Sequence, residues 1–326
     1  MPCWLVAIVM CGSEILSAAE EASDAAVALA VDRGLVFLAK DAVKWKADHN
    51  CVSCHHAGMV IWAMNVARQQ GHTVNGPLLD ELTKWIAEAG DGRSSLPRPE
   101  SAPKALNTKA LWFSLALISA PETLTEAQAG LMRMLPTLRG DQTESGAWSG
   151  WPETRAPMFG PSDGSMTALA AFALIPDAKT DAASRGSLTK AVQWLDDTPP
   201  DDEWQSTVMR LAVLSRLERP QADRDRYLET IRQKQRADGG WSQNPSLPSD
   251  AWSTGQTLMA LADAGVTKAD PVVQRGRSFL VRTQQEHGAW PMASRPTKPS
   301  GEGAKNLIPI IGAGSAWAVI GLARHQ

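Results

Sequence analysis

The sequence predicts an all-α fold, an (α/α)6 toroid of about six helical hairpins, and three observations carry that prediction. Apolar residues recur three and four positions apart through most of the chain, as in Val208, Leu211 and Ala212 or Leu258, Leu261 and Ala262. One segment grammar returns at intervals of roughly 40–50 residues, the period of helical repeat architectures. Tryptophan is heavily over-used, with 13 Trp beside one Tyr and five Phe. Such a bias suggests a recurring structural position filled by an indole.

The chain opens on an export signal. Trp4 to Met10 is a short apolar run, and Ser17-Ala18-Ala19 offers small residues for cleavage before the acidic Glu20. The run is too short to span a bilayer. Residues 1–19 are therefore expected to be a signal peptide, and 20–326 a single toroid domain in the periplasm or otherwise exported. No Lys or Arg precedes the run, and Cys11 leaves a lipoprotein reading open; a buried first helix is the other alternative. Cleavage near Ala19 removes Cys3 and Cys11. The mature chain then keeps only Cys51 and Cys54, which excludes a disulfide-stapled scaffold.

In each repeat an amphipathic helix leads through a Gly-x-Trp or similar turn and a polar loop to a more uniformly apolar helix. The first copy runs from Arg33-Gly34-Leu35-Val36-Phe37-Leu38 to a helix from about His55 to Gln70. The second runs Leu79 to Ala89 and then Thr108 to Ile118. The third joins Leu131 to Leu138, through Ser145-Gly146-Ala147-Trp148, to Ser165 to Leu174. A degenerate fourth joins Leu188 to Leu195, through Glu203-Trp204, to Ser206 to Leu217. The fifth joins Tyr227 to Gln235, through Asp238-Gly239-Gly240-Trp241, to Ser253 to Ala264. The last begins at Arg275 to Leu280, passes Gly288-Ala289-Trp290 and ends in Ser315 to Ala323. An element apolar all round belongs inside and an amphipathic one outside, so six inner helices ringed by six outer ones close a toroid. The loops Gly92 to Ala105 and Arg295 to Lys305 are placed over one mouth.

Gln284-x-x-x-Gly288-x-Trp290 and Gln235-x-x-x-Gly239-Gly240-Trp241 resemble the QW repeats of squalene-hopene cyclases and the related prenyltransferase β-subunits. The resemblance covers about Val31 to Gln326. It implies a central cavity which, in that family, holds an isoprenoid chain; it does not by itself fix an activity. The cyclases protonate their substrate with an Asp in an Asp-x-Asp-Asp-Thr-Ala motif. The nearest match is Asp163-Gly164-Ser165-Met166-Thr167-Ala168, which keeps Asp163 and lacks the activating carboxylates. Asp163 is thus the candidate general acid of a cyclase-like reading; capping of the inner helix by Ser162 or Asp163 is the plainer role, and Asp250 is expected to do the same. The transferase zinc site requires Asp, Cys and His. Asp250 could match the first, but Trp252 and Gly314-Ser315 stand where Cys and His would be expected, so that site is not predicted.

What the chain has instead is Cys51-Val52-Ser53-Cys54-His55, the pattern of c-type haem attachment. Two thiols three residues apart add to the two vinyl groups, and the adjacent imidazole of His55 becomes the proximal iron ligand. One haem c per chain is expected, at the loop-to-helix junction of the first hairpin and hence at the rim of the toroid. Two thiols at this spacing also suit a redox-active or structural disulfide, and Cys51, Cys54 and His55 or His56 could hold zinc with a distant fourth ligand. His56 is expected to face a propionate or solvent, while Met59 and Met64 point away from the far haem face. Candidates for the sixth ligand are Met158, His287 and Met292.

With 21% charged residues and a net charge of −3, the chain shows no clustered basic surface for nucleic acid. The expected function is electron transfer, or redox chemistry on an apolar or isoprenoid small molecule in the cavity, with a redox partner protein. Membrane contact without a span is compatible with this. The alternatives are a cyclase-like isomerase using Asp163 and a non-catalytic lipid- or protein-binding toroid.

Overall fold

The computed structural model describes residues 21–49, 52–89, 107–150, 162–293, 295 and 307–326, together with the backbone alone at Cys54. The described chain is all-helical. Six hairpins follow one another as α1 (Asp24–Asp48) and α2 (Met59–Gln69), α3 (Gly76–Glu88) and α4 (Thr108–Ser119), α5 (Thr125–Gly140) and α6 (Asp163–Leu174), α7 (Ala182–Asp197) and α8 (Trp204–Arg216), α9 (Gln221–Lys234) and α10 (Ala251–Asp263), and α11 (Pro271–Thr283) and α12 (Ile308–Ala323). The even-numbered helices pack neighbour to neighbour, and α12 packs back on α2, so the inner ring closes. Burial follows the sequence pattern: from Gly164 to Leu174 every residue of α6 is buried, whereas α9 buries only Tyr227 and Ile231. The last inner helix begins seven residues before its expected start, because Ile308-Pro309-Ile310 forms its first turn, where Pro is tolerated.

Each Gly-x-Trp turn is a hydrogen-bonded staple. The indole N–H groups of Trp148, Trp241 and Trp290 donate to the outer-helix carbonyls of Leu138 (2.7 Å), Ile231 (2.9 Å) and Leu280 (2.7 Å). Their backbone N–H groups donate to inner-helix hydroxyls of Thr167, Thr254 and Ser315. The Gln amides reach the other way. Gln142, Gln235 and Gln284 each donate to the carbonyl of the turn glycine at 2.9 Å and to a carbonyl of the next outer helix, at Ser187, Val272 and Ala30. The third of these bonds links the last repeat to the first. A residue pair that reads as a family signature thus stitches three of the repeats to their successors, the last to the first among them.

The axis of the ring is packed with side chains. Trp112 of α4 and Trp252 of α10, on opposite sides of the ring, lie 6.1 Å apart edge-on, and Trp317 of α12 meets both. Trp62 of α2 adds a fourth indole 4.8 Å from Trp317. The Gln256 side chain, its amide oriented by this bonding pattern, accepts at Oε1 from Trp252 Nε1 (3.2 Å), Trp317 Nε1 (3.1 Å) and Gln205 Nε2 (2.6 Å). Buried indoles need a partner for the N–H, and one glutamine serves two. At this level the centre is a packed aromatic plug, a feature the resemblance did not imply. Among the described residues no helix is long and apolar enough to cross a membrane.

Candidate functional site at the mouth of the toroid

The described starts of the inner helices lie at one end of the ring, so His55 and the acidic helix starts share one mouth. Residues 50–51, Cys51 among them, lie outside the described residues. The turn Cys54–Gly58 is a π-type turn that runs straight into α2, with Ala57 and Gly58 both bonded to the Ser53 carbonyl. Such turns often mark functional positions.

His55 and His56 are buried there, at 9% and 0% exposure. The His55 Nδ1 has no hydrogen-bond partner, and neither has the His56 Nε2. Burial, with a smaller contribution from His56, pushes His55 down to about 3, so its imidazole is neutral at any physiological pH and keeps the lone pair that a metal ligand requires. His56 Nδ1 is bonded to Asp41 Oδ2 at 2.5 Å. A carboxylate behind a histidine fixes the ring and its tautomer, a usual arrangement beside metal sites. Trp45 lies edge-on to His55 at 5.4 Å and stacks between His56 (4.1 Å) and His49 (3.8 Å). Asp41 and Trp45 stand one turn apart on α1 and share a face, and His49 caps the helix four residues further on. Their spacing of four is the one local sequence signal that groups them.

In residue type this donor set, two cysteines three apart in sequence followed by a buried imidazole, is the one a c-type haem takes. The candidates for a sixth ligand are not gathered there. Met158 lies outside the described residues. His287 is exposed and packs on Phe37, which lies about 12 Å along α1 from Trp45 by helical rise. Met292 is buried against Gly314 of α12, while His56 meets Gly312. Two residues apart on a helix, those contacts lie on opposite sides.

Across the mouth the acidic helix starts differ from one another. Ser162 caps α6 by accepting from Ser165 N–H, and Asp163 is exposed, accepting from Gly150 N–H at 3.0 Å. Asp250 caps α10 by accepting from Ser253 N–H at 2.8 Å and is only 3% exposed. Its Oδ2 accepts from Gln243 Nε2 (2.8 Å), whose Oε1 accepts from Arg295 Nε (2.8 Å), and Arg295 forks onto both Glu203 oxygens. Burial pushes the Asp250 carboxyl up to about 6, against the opposing pull of its hydrogen bonds and of Arg295. The cap at Asp250 is legible in the sequence, whereas its burial and the Gln243–Arg295–Glu203 chain depend on three loops distant in sequence.

A pH effect follows. A carboxyl whose folded pKa lies above its ordinary value binds protons more tightly when folded, so it lowers stability as pH rises from about 4 through 6. Asp250→Asn, which keeps a capping oxygen, is expected to remove a drift on the order of 2–3 kcal/mol across that window. Urea melts of both proteins at pH 4 and 7 check this; an unchanged difference between the two pH values counts against it.

Fold and mouth together define an α/α toroid with a buried His pair at its rim, and comparisons with known proteins agree on the fold. No family model matches the chain. A stretch of 110 residues, 30% of this chain, is 33% identical to the enfumafungin synthase of Hormonema carpetanum, and the match spans 8% of that synthase's length. Among solved structures, an unsaturated glucuronyl hydrolase from Streptococcus agalactiae is similar with a TM-score of 0.61 and 8% identity, covering 94% of this chain and 92% of that one. A type II terpene cyclase from Scytonema, in complex with geranylgeranyl dihydroxybenzoate, is similar with a TM-score of 0.56 and 12% identity, covering 92% and 98%. A polysaccharide lyase gives 0.55 at 13% identity, covering 93% and 97%. At these identities the likeness concerns the fold, which lyases, hydrolases and cyclases share.

Proposed function

We propose that this chain is an exported c-type haem protein whose toroid presents the cofactor at its mouth for electron transfer. The observation that carries this reading is the coincidence of Cys51-x-x-Cys54-His55 with a His55 that is buried in the turn leading into α2. Cys51 and Cys54 would hold the group through thioether bonds and His55 would ligate its iron. When bound, the group supplies a one-electron iron couple. The chain's own residues do the rest. Trp45 and His56 wall His55 off from water, Asp41 fixes the His56 ring, and the indole plug leaves the rim as the place where redox chemistry meets a partner. An apolar or isoprenoid ligand would bind at the mouth, above the plug. Haem attachment outside the cytoplasm requires export, for which residues 1–19 supply the signal. Produced in a host with haem-maturation machinery, the purified protein is expected to show reversible one-electron reduction in the visible spectrum. A colourless protein from such a host would sink the reading.

Asp250 favours a second reading, proton transfer to a terpenoid at the same mouth. Burial holds the Asp250 carboxyl toward its protonated form, whereas Asp163 is exposed. Turnover of squalene or a shorter polyprene, lost in Asp250→Asn and kept in Asp163→Asn, supports it; no turnover by the wild type ends it.

A further inference from the structure

Among the described residues, five large hydrophobic side chains are well exposed, and three of them lie on α1: Leu29 (57%), Val36 (53%) and Val43 (50%). They are spaced seven residues apart. Seven residues make almost two full turns, so the three side chains fall in one line along the outer face of the helix. Between them on the same line lie two charged residues, Asp32 and Lys40, both exposed. Asp32 keeps a 57% exposed side chain although its Oδ1 holds His72 Nδ1. The stripe is therefore apolar, charged, apolar, charged, apolar, with opposite signs on either side of Val36.

That order is self-complementary in one arrangement. If a second α1 crosses the first in the opposite direction at Val36, then Leu29 faces Val43, Asp32 faces Lys40, and Val36 faces its own copy. A parallel crossing would set Asp32 against Asp32 and Lys40 against Lys40. An isologous two-fold contact requires that a patch match itself when reversed, and this one does. We propose that the outer face of α1 is the contact of a homodimer of this chain, built as an antiparallel helix pair centred on Val36. One helix face buries less than the roughly 800 Å² per partner of a standard interface, so the association is weak and concentration-dependent. Polar residues within the seam set direction and register, as they do in paired helices generally.

Sedimentation of the mature full-length protein over a concentration series is expected to show a monomer–dimer equilibrium. Val36→Asp, which places two carboxylates on the two-fold axis, is expected to weaken it at least tenfold with an unchanged melting curve. Cysteine pairing tests the register independently, with the parent protein as background for Cys51 and Cys54. Val36→Cys should form a disulfide-linked dimer with itself. Leu29→Cys should not, but should do so when mixed with Val43→Cys. A protein monomeric at every concentration, including one whose stripe is covered by its own N-terminal segment, overturns the proposal. So does a Leu29→Cys protein that links to itself, since that requires a parallel pair or a chance encounter.

Discussion

Gly288→Ala is expected to destabilise the fold by more than about 4 kcal/mol, a loss few single substitutions reach. Gly288 has a φ of +96°, which an L side chain adopts only with strain. A Cβ there would stand 2.2 Å from the carbonyl oxygen of Arg33, on α1. The obstacle is backbone, which no rotamer change relieves. Relief would need the last repeat to move off the first, breaking the Gln284–Ala30 bond that closes the ring. Gly265→Ala is the control, because Gly265 also has a positive φ (+79°) but nothing within 4 Å of its Cβ position. It should lose only about 1 kcal/mol from backbone strain. Chemical denaturation of the three proteins separates the two contributions; equal losses at the two glycines would show that contact with Arg33 is not what Gly288 provides.

The second large effect concerns the cysteines. Cys51→Ala and Cys54→Ala should each leave one thioether link and shift the visible band of the reduced protein, while the double substitution should abolish covalent colour altogether. His55→Ala should keep the links and remove the proximal imidazole, leaving a pigment that changes its spectrum on adding imidazole. His55 carries no partner on Nδ1, so its removal leaves no orphaned group behind, and the fold should survive with a modest loss of packing. Absorption spectra before and after denaturation read all four variants. Unchanged colour in the double cysteine variant rules out attachment at this motif.

Much of this architecture was legible in the chain itself. The repeated Gly-x-Trp turns fix where outer helices end, and the Gln four residues before each Gly announces the bond that joins repeats, as Gln235, Gln284 and, in a looser copy, Gln142 show. Inner and outer roles followed from apolar residues all round α6 and α12. The filling of the axis was not legible. Trp62, Trp112, Trp252 and Trp317 look in sequence like any core residues of four separate helices, and only ring closure brings them together, two of them on Gln256. The same holds for Asp250: its neighbour Ser253 reveals a cap, but the burial that raises its carboxyl comes from the meeting of the Glu203, Gln243 and Arg295 loops. Asp41 and His49 lay within reach of a helical-spacing argument from Trp45, yet nothing local ties them to His56 fifteen residues beyond Asp41.

On the proposed function, Cys51 and Cys54 would carry a covalent haem with His55 as its ligand. The most direct test is the intact mass and pyridine haemochrome spectrum of the exported protein, purified under denaturing conditions from a host with haem-maturation machinery. The account predicts a mass gain of one haem that survives denaturation and a haemochrome band belonging to a c-type haem. An unmodified mass would contradict it, leave the two thiols to a disulfide or a metal ion, and move the Asp250 acid chemistry to the front.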